Sequence, residues 1–360
     1  PELYAKMAKS FINFAEYTGF LPKWISPYEI GIMPGALIEA VISDAIIKGI
    51  INGEDAKKGY KYLLKNAYKS SGNSLQGRIG IEDYIKYGFL PREKYHESIS
   101  NTLDFAYGDY CIARVAEILG DDKVSKELYG RSKNYVNIFD VSVGFMRGKD
   151  INGQTKNDFD PYDWGGENCE GSSWHSSFSV YHDFKGLSKL YGGKQNLLNK
   201  IDQLFNVPNT FNVGYYGQEI HEMTEMAALE YGQCAINNQP SFHIPYIYSE
   251  LGDVRKTAKI VSDLVKKLFS SSSTGFPGDE DNGSMSSWYI FSCLGFYPFC
   301  PSKGDYVLGK PNVEKAVIKL PNGSNLEIIN GVLDCISING KKLKNKISHS
   351  EIVKGGVLKF

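Results

Sequence analysis

The 360-residue chain contains six cysteines, Cys111, Cys169, Cys234, Cys293, Cys300 and Cys335, yet no CxxC pair. Without that spacing a structural zinc site has no ligand framework. Most of the six sit inside apolar runs and read as buried thiols. Charge of one sign is also lacking: 40 Lys and Arg face 41 Asp and Glu, a formal net charge of −1. That balance argues against a nucleic-acid or anionic-membrane partner. No apolar run reaches membrane-spanning length. There is no initiator Met and no signal peptide, and the chain opens mid-pattern at "PELYAKMAKSFINFAEYTGFLPKW". The expectation is a section of a longer protein, for which a missing signal says little about location.

What is present suffices for a large core, with 42% hydrophobic and 22% charged residues. The length suits one large domain and a small one. Aromatics reach 13%, with 24 Tyr and 19 Phe. Such rings serve either an aromatic core or the stacking faces of a sugar site.

To about residue 295 the pattern is helical. "GALIEAVISDAIIKGI" repeats apolar residues at i, i+3, i+4 and i+7, and "TLDFAYGDYCIARVAEILG" does the same before stopping at Gly120. A corner motif recurs: "GFLP" at Gly19 and Gly88, with "GFPG" at Gly275 and "GFYP" at Gly295. Helical hairpins with matching loops suggest a closed array of helix pairs. "MSSWYIFSCLG" reads as an inner helix of such an array, buried on both faces. Beyond Pro301 the period changes to two in "VEKAVIKL", "LEIING" and "CISINGKKL", with turn signals at "PNGSN" and "NGKK". The expected division is a helical domain over 1–300 and a C-terminal β extension over 301–360, packed on the helical body.

"GFPGDEDNGSMSSWYIFSCLGFYP" sets three acids, Asp279, Glu280 and Asp281, before an apolar helix. A calcium EF-hand loop fails, since counting from Asp279 puts Ser284 at position six and Ile290 at position twelve. Helix capping accounts for one acid. Three exceed what a cap requires, which points to carboxylate chemistry. Inverting glycosidases need a protonated acid at the leaving oxygen and a carboxylate that activates water. "YDWGGENCEGSSWHSSFSVYHDFKGL" offers further acids, Asp163, Glu167 and Glu170, the last close to Trp174. An acid beside apolar rings has a raised pKa, as a general acid requires.

"GFPGDEDNGSMSSWYIFSCLGFYPFCPSKGDYVLGKP", "ENCEGSSWHSSFSVYHDFKGL" and "NNQPSFHIPYIYSELG" together resemble glycoside hydrolase family 92, whose members are calcium-dependent, inverting exo-α-mannosidases. The likeness covers nearly the whole chain. It implies a mainly α fold, an (α/α)6 toroid with a small C-terminal β-sandwich-like extension. It puts Glu170 at the general-acid position and Asp281 at the general-base position, with Asp279 sharing that task and Glu280 pointing elsewhere. His221 and Glu222 match the pair lining the leaving-sugar subsite of members that cut α-1,2 linkages. Trp174 and His243 are carried over as substrate-facing residues, and Asn238 and Gln239 as ligands of Ca²⁺. "NNQP" stands where many members have Gly-Asn-Glu-Pro, so Gln239 keeps a carbonyl oxygen and drops a charge. The resemblance further implies an N-terminal β-sandwich domain of the same protein, absent from this chain, and mannose-containing oligosaccharides or glycoproteins as substrates.

The sequon "NGS" at Asn282 lies within the proposed catalytic loop, where a glycan would block the cleft. This favours a bacterial setting, and the resemblance implies a secreted or periplasmic protein. Two other readings stay open at this level: a non-catalytic sugar-binding remnant of the same fold, and an inverting glucosidase on an (α/α)6 toroid that needs no calcium.

Overall fold

The computed structural model describes residues 1–25 and 27–360. Among the described residues there are fourteen α-helical segments and ten short strands. Residue proximity divides the chain into two compact units. One comprises Pro1–Asp183 with Asn212–Gly217, the other Phe184–Phe211 with Gln218–Phe360.

The first unit is built on helices Glu2–Thr18, Ile38–Ile47, Gly53–Tyr68, Ile81–Tyr87, Ser98–Leu119 and Asp122–Arg131. Ser98–Leu119 is buried on almost every side up to Ala116 and ends at Gly120, which adopts φ +79°. Its buried carboxylate Asp109 is held by arginines from outside the helix. Arg78, 1% exposed, donates to Glu39 at 3.0 Å through Nε and to Asp109 at 2.7 Å through Nη1. Arg131 adds two further bonds to Asp109, both 2.6 Å. The network requires a glycine at 108, because a Cβ there would lie 2.0 Å from Glu39 Oε2. Ile42, Leu63, Ile112, Val115 and Leu128, each fully buried, belong to the hydrophobic core of this unit.

The repeated corners are one structural device. Gly19, Gly88 and Gly295 each end a helix in the left-handed region, at φ +95°, +74° and +86°. The Phe that follows is buried in every case, at 8%, 8% and 3% exposure. A left-handed residue closes the last carbonyls and the next apolar residue folds back onto the helix. Gly275 belongs to no helix end.

The second unit carries helices Lys194–Asn206, His221–Leu229, Val254–Leu268 and Ser284–Leu294 before the β region. Ser284–Leu294 departs from the expected inner helix. Only Met285, Trp288 and Ser292 are buried, while Tyr289 and Ile290 are 37% and 55% exposed. Spacings of three and four put the buried residues on one stripe, and the remaining apolar residues fall outside it. The period-two segments are strands as read. Lys315–Lys319, Asn325–Ile329, Gly356–Lys359, Ser337–Ile338 and Lys341–Lys342 form one sheet in that order, with a parallel pair between Asn325–Ile329 and Gly356–Lys359. Asn339 and Gly340, at φ +49° and +79°, make the tight turn that "NGKK" signalled. Leu326, Ile328 and Leu358 form a core with Val254, Phe291 and Leu294, so the β region packs on the helices of its own unit.

Candidate active site

The acidic loop resolves into two kinds of carboxylate. Glu280 caps the first turn of helix Ser284–Leu294 from outside it, ahead of the N-cap residue Gly283. Its Oε2 accepts the Gly283 N–H at 2.7 Å, and its Oε1 accepts the Ser286 hydroxyl at 2.5 Å and the Ser286 N–H at 3.2 Å. The Ser286 hydroxyl, then the Gly283 N–H, hold its carboxyl below the ordinary glutamate range. Asp279 and Asp281, on either side, remain exposed. The loop is set by backbone conformation: Asp281, Asn282 and Gly283 run at φ +51°, +54° and +97°. A Cβ at Gly278 would lie 2.2 Å from the Asn237 carbonyl, so the loop's start lies directly on the 237 backbone.

Two other segments of the same unit meet this loop. From helix His221–Leu229, His221 reaches Glu222 at 3.1 Å through Nε2 and Glu225 at 3.2 Å through Nδ1. Side-chain ligand atoms of His221, Glu225 and Asp279 lie within 4.8 Å of one another. Partial burial lowers the His221 pKa, but the bond to Glu225 and the charges of Glu222, Glu225 and Asp279 outweigh it and raise the pKa above its ordinary value. From the segment at 237–243, the Gln239 side-chain amide donates to Asp281. Asn238 uses its side-chain oxygen to accept the Gln239 N–H at 2.9 Å, capping the short turn Gln239–Ser241. Asn237 donates to the Glu222 carbonyl at 3.0 Å and to Glu225 at 3.1 Å. Its own Oδ1 and Glu222 Oε2 are buried oxygens without a hydrogen-bond partner among the described residues. His243 is 2% exposed, with its ring 5.9 Å from Phe299.

Glu170 lies in the first unit. Its φ is +40°, one of seven left-handed non-glycine residues among those described, and Asp281 is another. Such backbone is costly and clusters at functional sites. The Glu170 N–H donates to the Tyr216 hydroxyl at 3.2 Å. Burial pushes Tyr216 up to about 12, with the Glu170 N–H acting the other way. The loop before Glu170 is tied to the start of helix Ser98–Leu119, with Glu97 N–H to the Gly166 carbonyl at 2.8 Å and Cys169 N–H to Ser100 Oγ at 2.9 Å. The chain after it enters helix Ser173–Ser176 through a capping box made by Ser172 and His175. Trp174 on that turn is 4% exposed and edge-on to Phe145 at 4.8 Å. The other acids of the motif have structural partners: Glu167 accepts the Gly148 N–H at 3.1 Å, and Asp163 accepts from Asn212 at 3.0 Å.

The second unit therefore brings His221, Glu222, Asn238, Gln239, Asp279 and Asp281 together, and Glu170 and Trp174 share a loop and its following turn in the first. Sequence reading passed over Glu225, Asn237 and Tyr216. Glu225 had a signal, since His221 and Glu225 stand four apart on a helix and therefore share a face.

The sequence profile of the glycosyl hydrolase family 92 catalytic domain matches residues 1–360. The structure superposes on the family 92 inverting mannosidase of Bacteroides thetaiotaomicron VPI-5482 with a TM-score of 0.88 and 39% identity, covering 100% of this chain and 50% of that one. A family 92 α-mannosidase of Bacteroides thetaiotaomicron, solved in complex with mannoimidazole, matches with a TM-score of 0.88 and 28% identity over 100% of this chain and 48% of its own. An uncharacterized secreted glycosidase of Arthroderma benhamiae is 25% identical over 99% of this chain and 52% of its own length. The chain thus spans about half the length of the relatives it matches. The fold class is theirs, an (α/α)6 toroid with a β-rich C-terminal part. The chain belongs to glycosyl hydrolase family 92.

Proposed function

We propose that the protein is an exo-acting α-mannosidase that inverts the anomeric centre. The observation that carries this is the division of labour in the acidic loop. Glu280 is consumed by helix capping, while Asp279 and Asp281 remain exposed beside His221, Glu225 and Gln239. Asp281, assisted by Asp279, takes the proton from the attacking water. Glu170 gives a proton to the departing oxygen. His221 and Glu222 contact the leaving sugar and favour an α-1,2 linkage, because a site built to hydrogen-bond a partner rejects ligands that leave its polar groups unpaired. The secreted relative supports an exported protein acting on external mannose-containing glycans.

The donor set suits calcium, which takes six to eight oxygens. Glu225 and Asp279 converge, and the buried Asn237 Oδ1 and Glu222 Oε2 lack donors among the described residues. These oxygens, with the side-chain carbonyls of Asn238 and Gln239, would hold the ion. His221 nitrogen is a poor calcium ligand and stays with the sugar. An ion bound there would supply a site for the vicinal hydroxyls of mannose.

The roles separate by leaving group. Glu170→Gln should cripple hydrolysis of a mannobiose and spare much of the rate on a dinitrophenyl mannoside, which departs unprotonated. Asp281→Asn should reduce both by about 10²–10⁴-fold. Parallel losses in Glu170→Gln would remove it from the acid role. Early release of α-mannose rather than β-mannose, read by NMR, would refute inversion. Chelator should abolish the activity and Ca²⁺ restore it, with Mg²⁺ a poor substitute because it retains its waters.

A further inference from the structure

A cavity of about 670 Å³ in the second unit is lined by residues of helices Lys194–Asn206 and Val254–Leu268, with Tyr231 and Tyr248. It shares no residue with the cluster around Asp281. Its size falls in the range of small-molecule sites, roughly 300–1,000 Å³. Half-buried Phe205, held against the buried ring of Tyr248 with centroids 6.3 Å apart, and half-buried Tyr231 contribute apolar surface to the lining.

The two carboxylates of the lining are already engaged. Asp202 accepts the Tyr248 hydroxyl at 2.6 Å and pairs with Lys256 at 2.5 Å. Asp263 accepts the Tyr231 hydroxyl at 2.6 Å and pairs with Lys267 at 2.9 Å. Lys256 also lies 4.6 Å from the Tyr248 ring centroid, so each tyrosine, aspartate and lysine fixes the others. Lys259 and Lys266 are left over. Both line the cavity, both are exposed, and neither makes an ion pair among the described residues. They stand seven residues apart on one helix, about 10 Å along its axis.

We infer that this cavity is a second saccharide-binding site, which takes a glycan bearing an anionic substituent, a phosphate, sulfate or carboxylate. Aromatic rings pack against the apolar face of a sugar, and the two unpaired ammonium groups receive the anion. Both lining carboxylates are tied to a tyrosine and a lysine, and the inferred role is binding without cleavage. That the ligand is a glycan rests on the proposed function. The anionic preference rests on Lys259 and Lys266 alone.

Affinity electrophoresis through gels containing neutral mannan, a phosphorylated mannan or a polyuronate tests it. The protein should be retarded by at least one anionic polysaccharide more than by the neutral one, and which gel retards it identifies the phosphate or the carboxylate. The Lys259→Ala/Lys266→Ala double variant should lose about tenfold in apparent affinity. Phe205→Ala should weaken retardation with no change of charge, and Phe205→Leu serves if the alanine variant does not fold. All should hydrolyse a dinitrophenyl mannoside at the parent rate, while Asp281→Asn should lose hydrolysis and keep retardation. Equal migration in all gels, parent-like retardation of the lysine or Phe205 variants, or loss of retardation in Asp281→Asn would overturn the inference. A parent protein that is retarded but hydrolyses no mannoside would sink the hydrolase reading and leave this site standing.

Discussion

His221 shows how one side chain reports its surroundings. Its imidazole faces Glu222, Glu225 and Asp279, and their acceptor bond and charges overcome the effect of burial. By NMR it should titrate above 6.5, and Glu225→Gln should bring it down. The sign for stability follows. A raised folded-state pKa gives stability that is complete below the unfolded value and is lost as pH rises through the folded value. The Tm difference between parent and His221→Ala should therefore be largest in acid and shrink above neutrality. A difference independent of pH would separate His221 from these carboxylates. Arg78 is the contrasting case, an ion pair without solvent. Arg78→Met leaves Glu39 buried without its cation and Asp109 with Arg131 alone, and should cost about 3–5 kcal/mol in chemical denaturation.

At the scale of elements, the cap of helix Ser284–Leu294 links stability to the loop that carries the proposed base. Glu280 makes three bonds across residues 283–286, so Glu280→Ala should lower both Tm and kcat/KM although Glu280 touches no substrate in the proposed mechanism. Because these bonds depress its pKa, the Tm difference should be present above the unfolded value of about 4.3 and close as pH falls through the lower folded value. Unchanged kcat/KM with a lowered Tm would confine Glu280 to the helix. The sequence made much of this legible. Apolar period and glycine stops located Ser98–Leu119 and the left-handed corners, and period two located the strands. The surplus of acids over one cap marked the loop. Illegible were the contacts that depend on long-range packing. That Gly278 lies on the Asn237 backbone, or that Tyr216 meets Glu170, is set by segments 41 and 46 residues apart. The misread helix Ser284–Leu294 has the same cause, since apolar composition states what can be buried and only neighbours decide which stripe is.

For the molecule as a whole, pH sensitivity should begin well below neutrality because of one buried acid. Asp104, 8% exposed on helix Ser98–Leu119, has its pKa pushed up to about 7, by burial first and then by Glu39 and Glu97, against the opposing pull of Lys23 and Arg78. The stability this group gives is complete below its unfolded value, near 3.9, and is lost as pH rises through about 7. Asp104→Asn should flatten the decline of unfolding free energy over that window. An unaltered profile would place the loss elsewhere. The way the units share the chain has a consequence for dissection. Asn212–Gly217 belongs to the first unit although the 28 residues before it, Phe184–Phe211, belong to the second. A protease nick after Asp183 therefore divides the chain at the wrong place for either unit. The N-terminal piece, separated, would lose Tyr216 from the Glu170 N–H, and Asn212 from Asp163. Only a nicked protein whose halves stay associated would keep Glu170 in its left-handed pose, and recovering function from split halves would require the hexapeptide at 212–217 to find its way home.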